Sequence, residues 1–256
     1  IKAGSAMKTT AVTQRLASLG GAKWGIHLKA KELINQGHDI VNLTIGEPDV
    51  PTPVGLMEIA TQSMLKGRTG YSDGRGEKGL RLALAERAST RTGHSISADQ
   101  VMCFPGTQTA LYAVLMGVAE TGDDVLVGDP MYATYEGVVR ATGASMVPVP
   151  LRAENGFRLT ASDIAKVITP RTTALLLTTP HNPTGAILSE SDIREIGELV
   201  RQHDLWIISD EVYEDLVFPD TTFTSALAIP ELADRVIVVS SISKSHAAPG
   251  FRSGWC

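Results

Sequence analysis

Cysteine is nearly absent from this chain. There are two in 256 residues, Cys103 and Cys256, far apart and without the paired spacing of a metal site. That scarcity excludes a disulfide-built scaffold and points to reduced thiols in a cytoplasmic protein. Cys103 lies in an apolar run, where cysteine behaves as a small hydrophobe. A basic stripe is also missing. The net charge is −5 and the sequence pI near 5.7, so nucleic acid is not an expected partner. Uninterrupted apolar runs, such as residues 236–239, are far too short to cross a bilayer, and no membrane is expected. No cluster of cysteine, histidine and carboxylate suggests a metal, and there is no internal repeat or low-complexity tract. Nothing after Met7 has the charged-then-apolar layout of a secretory signal, and residues 1–6 read as a remnant outside the fold.

What is present is ordinary globular composition, 43% hydrophobic and 20% charged. The length suits one large domain, or one large and one small, and is enough to bury a core without cross-links. Short runs rich in Val, Ile and Leu recur at 101–104, 125–127, 146–149, 174–177, 205–208 and 236–239. Each has strand length, and Pro148 makes the third an edge strand at best. Several are apolar on both faces, as in a sheet covered on both sides. Helical patterns alternate with them at 107–118, 131–141 and 189–203. Ser189 with Asp192, and Thr160 with Asp163, are helix-start signals. The repetition predicts a mostly parallel α/β sheet. Residues 7–52 differ in character: an amphipathic helix over 23–36, an extended stretch at 40–45, and the turn-rich Gly46-Glu47-Pro48-Asp49. They read as an N-terminal arm with part of a smaller domain, and 53–256 as the large domain.

In such a sheet, ligands collect beyond the carboxyl ends of the strands. The polar residues that follow the predicted strands are Gly106-Thr107-Gln108, Asp129-Pro130, His181-Asn182-Pro183-Thr184-Gly185, Asp210-Glu211-Val212-Tyr213 and Ser241-Ile242-Ser243-Lys244. The coincidence of these loops carries more weight than any one of them.

These residues, in this order, resemble the class I/II aminotransferases of pyridoxal 5'-phosphate (PLP) fold type I. Asp210 with Tyr213, then Lys244, then Arg252 eight residues on, is the joint signal. Residues 130–255 look most like the bacterial arginine–pyruvate transaminases within that class. The resemblance implies a large PLP-binding domain with helices on both sheet faces and an incomplete small domain. Lys244 would form the Schiff base with the cofactor and, once freed by substrate, serve as general base. Asp210 would face the pyridine nitrogen and keep it protonated. Asn182 and Tyr213 match the pair that bonds the phenolic oxygen, although Asn182 also suits a plain Asn-Pro turn. For the phosphate, the donors would be the free N–H groups at Gly106 and Thr107, with Gln108, Ser241 and Arg252. Thr107 is equally a helix cap, and Ser243 fits both the motif and a structural turn. Ser253 departs from the small aliphatic residue usual after the arginine.

Tyr132 matches the aromatic residue that stacks on the ring, or else it is a core aromatic. Tyr71 resembles the tyrosine that reaches the phosphate of the neighbouring subunit, which implies a homodimer; a loop tyrosine is the alternative. Gly46 matches a glycine whose backbone lies against substrate, or is a turn glycine. The substrates implied are an amino acid and a 2-oxo acid such as pyruvate. Uncharged Gln108 stands where some aspartate-type relatives carry a lysine, which disfavours an acidic donor. Glu47 and Asp73 are candidate partners for a basic side chain. In relatives, an arginine beyond residue 256 grips the substrate α-carboxylate. Residues 252–256 look like the start of a strand whose covering element also lies beyond 256. A PLP-dependent β-C–S lyase would share the cofactor residues, as would a non-catalytic PLP-binding module. A regulator of that last kind should carry a basic DNA-binding domain ahead of the fold, and none is seen.

Overall fold

The computed structural model describes residues 8–17, 19 and 21–256; the expected remnant at 1–6 lies outside them. In chain order the elements are α1 (Ala11–Leu16), α2 (Gly21–Asn35), α3 (Val54–Leu65), α4 (Lys78–Thr92), β1 (Cys103–Phe104), α5 (Thr107–Val118), β2 (Asp124–Asp129), α6 (Tyr135–Thr142) and β3 (Ser145–Pro150). There follow α7 (Ala161–Ala165), β4 (Thr172–Thr178), α8 (Glu190–Gln202), β5 (Trp206–Asp210), β6 (Val236–Ser241), α9 (Ile242–Ser245) and β7 (Gly254–Trp255). Seven strands form one sheet in the order β1-β7-β6-β5-β4-β2-β3. The pairs β3-β2, β2-β4, β4-β5 and β5-β6 are parallel, and β7 runs antiparallel to both its neighbours.

Successive side chains of a strand point to opposite faces, and the buried runs divide accordingly. Leu126, Leu175, Leu177 and Ile207 pack on one face with Ile164 of α7 and Ile193, Ile196 and Val200 of α8. Val125, Val127, Ala174, Leu176, Ile208 and Val239 pack on the other with Leu111 and Leu115 of α5 and Val138 and Val139 of α6. Each fully buried aliphatic side chain contributes about 1.5–3 kcal/mol, so the two-sided core is what fixes the strand register. Ser189 caps α8 as its sequence suggests: its Oγ accepts from Asp192 N at 3.2 Å, while Asp192 Oδ2 accepts from Ser189 N at 2.9 Å. Thr160 caps α7 with its side chain alone, its Oγ1 accepting from Asp163 N at 3.2 Å. Pro148 does fall on the edge strand, β3.

Two expectations need correction. The helix predicted over 131–141 begins only at Tyr135, because residues 133–134 form a turn closed by the bond from Tyr135 N to Tyr132 O. Residues 252–256 do not leave a free sheet edge: Gly254–Trp255 lies between β1 and β6 and is bonded on both sides.

Candidate active site

The carboxyl ends of β4, β5 and β6 and the N-terminus of α5 surround a cleft of about 180 Å³. Ten residues singled out from the sequence line it: Thr107, Gln108, Tyr132, Asn182, Asp210, Tyr213, Ser241, Ser243, Lys244 and Arg252. Gly46 reaches it by its carbonyl, which accepts from Lys244 Nζ at 2.5 Å. Gly106 caps α5 at the floor. Tyr71 is not brought in. It is fully exposed and lies with Arg68 and Glu77 beside a separate surface hollow.

Asp210 ends β5, paired with Thr178 on one side and Val239 on the other. It is buried, and burial pushes its carboxyl up to about 6. Two donors work against that rise. The Tyr135 hydroxyl donates to Oδ2 at 2.8 Å, and Val212 N donates to Oδ1 at 3.2 Å. Tyr135 was missed in the sequence. It is 2% exposed, and since its hydrogen is spent on Asp210, Thr178 Oγ1 at 2.8 Å donates to it in turn. Burial first, and the Asp210 charge second, hold that phenol well above its ordinary pKa, so it remains a donor. The signal available was spacing: Tyr135, Val138 and Val139 make one apolar stripe of α6. Tyr132 is the other half of the pair, 41% exposed at the cleft and edge-on to Tyr135 at 5.5 Å. The core aromatic is therefore Tyr135, and Tyr132 is left facing the opening.

Asn182 Nδ2 donates to the Tyr213 hydroxyl oxygen at 2.9 Å. The phenolic hydrogen of Tyr213 is thus available to a third group. Burial, ahead of the Asp210 and Tyr132 charges, holds this phenol above its usual pKa, although the Asn182 bond opposes the rise. Lys244 follows Ser241, whose Oγ accepts from Ser243 N in the short helix α9. Half-burial lowers the Lys244 pKa, and the nearby Glu47 carboxylate partly offsets the effect. Asp73, the other acid considered for a basic side chain, is occupied elsewhere, accepting from Arg75 N and pairing with the buried Arg81. Gln108 Oε1 accepts from Thr134 Oγ1 at 2.8 Å.

The α5 end of the cleft fits a phosphate group. Arg252 takes a left-handed φ of 50°, and its guanidinium donates to the carbonyls of Pro249 and Pro105 at 2.8 and 3.3 Å. A Cβ on Gly106 (φ +88°) would stand 2.0 Å from Arg252 Nη2, and one on Gly254 would stand 2.6 Å from the Gly106 carbonyl carbon. Only glycine at both positions lets the arginine lie across the start of the helix. There, Thr107 Oγ1 is buried without a hydrogen-bond partner, and the first N–H groups of α5 have no partners within the helix. An orphaned hydroxyl, unpaired amides and a guanidinium converging at a helix N-terminus are what a dianion requires.

The family model for aminotransferase class I and II matches residues 38–256. The chain is 47% identical over 249 residues to an arginine–pyruvate transaminase of Pseudomonas aeruginosa, covering 97% of this chain and 63% of that protein. It is 34% identical to an aspartate aminotransferase of Thermotoga maritima, covering 95% of this chain and 65% of the other. Among solved structures, the Thermus thermophilus aspartate aminotransferase with maleate superposes with a TM-score of 0.90 at 32% identity, over 97% of this chain and 64% of that one. The chain thus spans somewhat less than two thirds of the length of these relatives. Family model, sequence relatives and fold agree, and the chain belongs to the class I and II aminotransferases, a PLP-dependent family of fold type I.

Proposed function

We propose that the whole protein is a PLP-dependent aminotransferase that moves an amino group from an amino acid to a 2-oxo acid such as pyruvate. The donor is arginine or another non-acidic amino acid. The observation that carries this reading is the convergence of Lys244, Asp210, Asn182, Tyr213 and Arg252 on one cleft. Bound there, PLP supplies an aldehyde to take the amine and a ring to take up the electrons left when the α-proton departs.

The chain's own groups divide that work. Arg252, Ser241, Thr107 and the N-terminus of α5 hold the phosphate, with Ser243 and Gln108 beside them. Asp210 sets a negative charge in a dry position, where it favours a proton on the group opposite. Tyr213, held by Asn182, would donate its hydroxyl hydrogen to the cofactor's phenolic oxygen. Tyr132, at the opening of the cleft, would cover the ring. Lys244, its pKa lowered by burial, has a neutral fraction able to attack an aldehyde, and the same Nζ carries the proton away from the substrate α-carbon. Gly46 presents its carbonyl to that amine. The donor preference rests on the printed name of the Pseudomonas aeruginosa relative and on the neutral side chain of Gln108, tied to Thr134.

By the same resemblance, residues 53–256 are the large domain and 7–52 an arm with part of the small one. The α-carboxylate arginine would come from beyond residue 256. The functional unit is a cytoplasmic homodimer in which Tyr71 reaches the neighbour's phosphate; its full exposure in a single chain supports that role.

The test is an assay of the full-length protein with a panel of amino donors and either pyruvate or 2-oxoglutarate. A new amino acid formed from the oxo acid, fastest with a basic or neutral donor, is the expected result. Pyruvate and thiol released from cystathionine, with no amino transfer, would replace this reading with a β-C–S lyase.

A further inference from the structure

Tyr213 lies in a stretch without helix or strand between the end of β5 and a short turn at Ala226–Ala228. Its hydroxyl nevertheless sits 2.9 Å from Asn182, which belongs to a different loop, the one after β4. A hydrogen bond between two loops survives only if both are held, because it weakens steeply with small displacements. Two anchors flank Tyr213. On the N-terminal side, Glu211 N donates to Val239 O, and Glu211 Oε1 accepts from Ser209 Oγ at 2.8 Å, Ser225 Oγ at 3.0 Å and Ala226 N at 3.1 Å. On the C-terminal side lies a group that the proposed chemistry does not use. Arg87 and Arg91, one turn apart on α4, face Glu214 and Asp215, the two residues after Tyr213. Arg87 Nη2 is 3.0 Å from Glu214 Oε1 and 2.6 Å from Asp215 Oδ2. Arg91 Nη1 is 2.6 Å from Glu214 Oε2, and Arg91 Nη2 pairs with Asp215 Oδ1.

Each guanidinium therefore grips both acids, and each acid both guanidiniums. A single exposed ion pair contributes little to stability, but a closed network of planar forks fixes geometry as well. The acids are only 11% and 27% exposed and the arginines 36% and 30%, so solvent screens the set in part. Burial raises the Asp215 carboxyl, and the Arg91 and Arg87 bonds more than reverse this to leave it below its usual value. The helix that carries the arginines is itself held. Ala85 is buried, Ser89 Oγ accepts from Ile96 N at 2.9 Å, and His94 just beyond bonds Ala228 O at 3.1 Å. None of the four charged residues lines the cleft.

We propose that Arg87, Arg91, Glu214 and Asp215 form a clamp that positions the Tyr213 hydroxyl, and through it sets the hydrogen bond offered to the cofactor's phenolic oxygen. The four are positioning residues, and the inference rests on the reading that Tyr213 faces the cofactor. A misplacement of about 1 Å in a site group is enough to cost much of its effect, and Glu214 is one residue from Tyr213.

The test uses full-length holoenzyme and follows the visible absorbance of the lysine-bound cofactor as a function of pH. Tyr213→Phe is the benchmark and shifts the titration midpoint. The neutral pair Glu214→Gln with Asp215→Asn is expected to move the midpoint in the same direction and no further, with cofactor still bound stoichiometrically. The charge exchange Arg91→Glu with Glu214→Arg, which keeps an ion pair at that corner, is expected to leave the midpoint nearer the wild-type value than the neutral pair does, and a midpoint as far displaced as the neutral pair's would count against the clamp. If Tyr213→Phe moves the midpoint while both clamp variants leave it at the wild-type value, the clamp is overturned and the reading of Tyr213 stands. If Tyr213→Phe itself moves nothing, the reading of Tyr213 fails first, and the clamp fails with it.

Discussion

Replacing Asp210 with asparagine should make the cofactor-free protein more stable above about pH 6, and should remove most of the activity of the cofactor-loaded enzyme. The reasoning starts from burial. Asp210 is 4% exposed, and its carboxyl is pushed from an ordinary 3.8 to about 6 in the fold. The folded state therefore keeps a proton that the unfolded chain has already released. The stability tied to this group is fully present below about pH 4 and is lost as the pH rises through about 6. Roughly two pH units at 1.36 kcal/mol each come to about 3 kcal/mol of destabilisation above that window. Asparagine has no such proton to lose. It disturbs one of the two hydrogen bonds, at about 1 kcal/mol, but that cost does not vary with pH. Nor does Glu211 interfere, because it titrates alike in both proteins and cancels in the comparison. The measurement is denaturant unfolding of cofactor-stripped full-length wild type and Asp210→Asn between about pH 4 and pH 8. The difference between them should swing by about 3 kcal/mol in favour of the variant as pH rises. A difference that stays constant across the range would refute the claim that Asp210 carries a buried charge in need of a cation.

Two further outcomes are expected. Lys244→Ala should lose turnover and the visible absorbance of lysine-bound cofactor while still retaining phosphate-held cofactor by equilibrium dialysis; normal turnover would remove Lys244 from the role given to it. Mixed dimers of full-length Tyr71→Phe and Lys244→Ala subunits should regain activity over the Tyr71→Phe homodimer, because one of their two sites carries neither defect. No gain on mixing proven by mass spectrometry, or a fully active monomer by light scattering, would rule out a shared site.

The large-domain sheet was legible because its cues are local. Runs such as 125–127 and 174–177, apolar on both faces, became β2 and β4, and the serine of Ser189-x-x-Asp192 caps α8 through its own side chain. Most of the cleft was legible for a related reason: its residues follow strands in a fixed order along the chain. What escaped depends on contacts distant in sequence. Tyr135 bonds Asp210 across 75 residues, and no periodicity announces a hydrogen-bond partner. The start of α6 was placed four residues early because nothing local marks residues 133–134 as a turn; Thr134, at the cap position, spends its hydroxyl on Gln108 instead of on the helix. β7 was misjudged because two paired residues inserted between β1 and β6 look, in the sequence alone, like an uncovered edge.

Asp210 and Glu211 show where composition stops and geometry takes over. They are adjacent, both acidic, both buried, and both pushed up by burial, to about 6 and about 7. The alternation of a strand sends them to opposite faces as β5 ends. Asp210 turns to the cleft, with Tyr135 behind it and open space before it. Glu211 turns away and satisfies its Oε1 within the protein through Ser209, Ser225 and Ala226. A buried carboxyl surrounded by neutral donors is an anchor, since everything it needs is already in place. Asp210 has no ion-pair partner among the described residues, and a positive charge placed opposite it would offset the cost of its burial. On that argument the strain at Asp210 favours the loaded over the empty state, and cofactor binding should gain strength as pH rises through about 6.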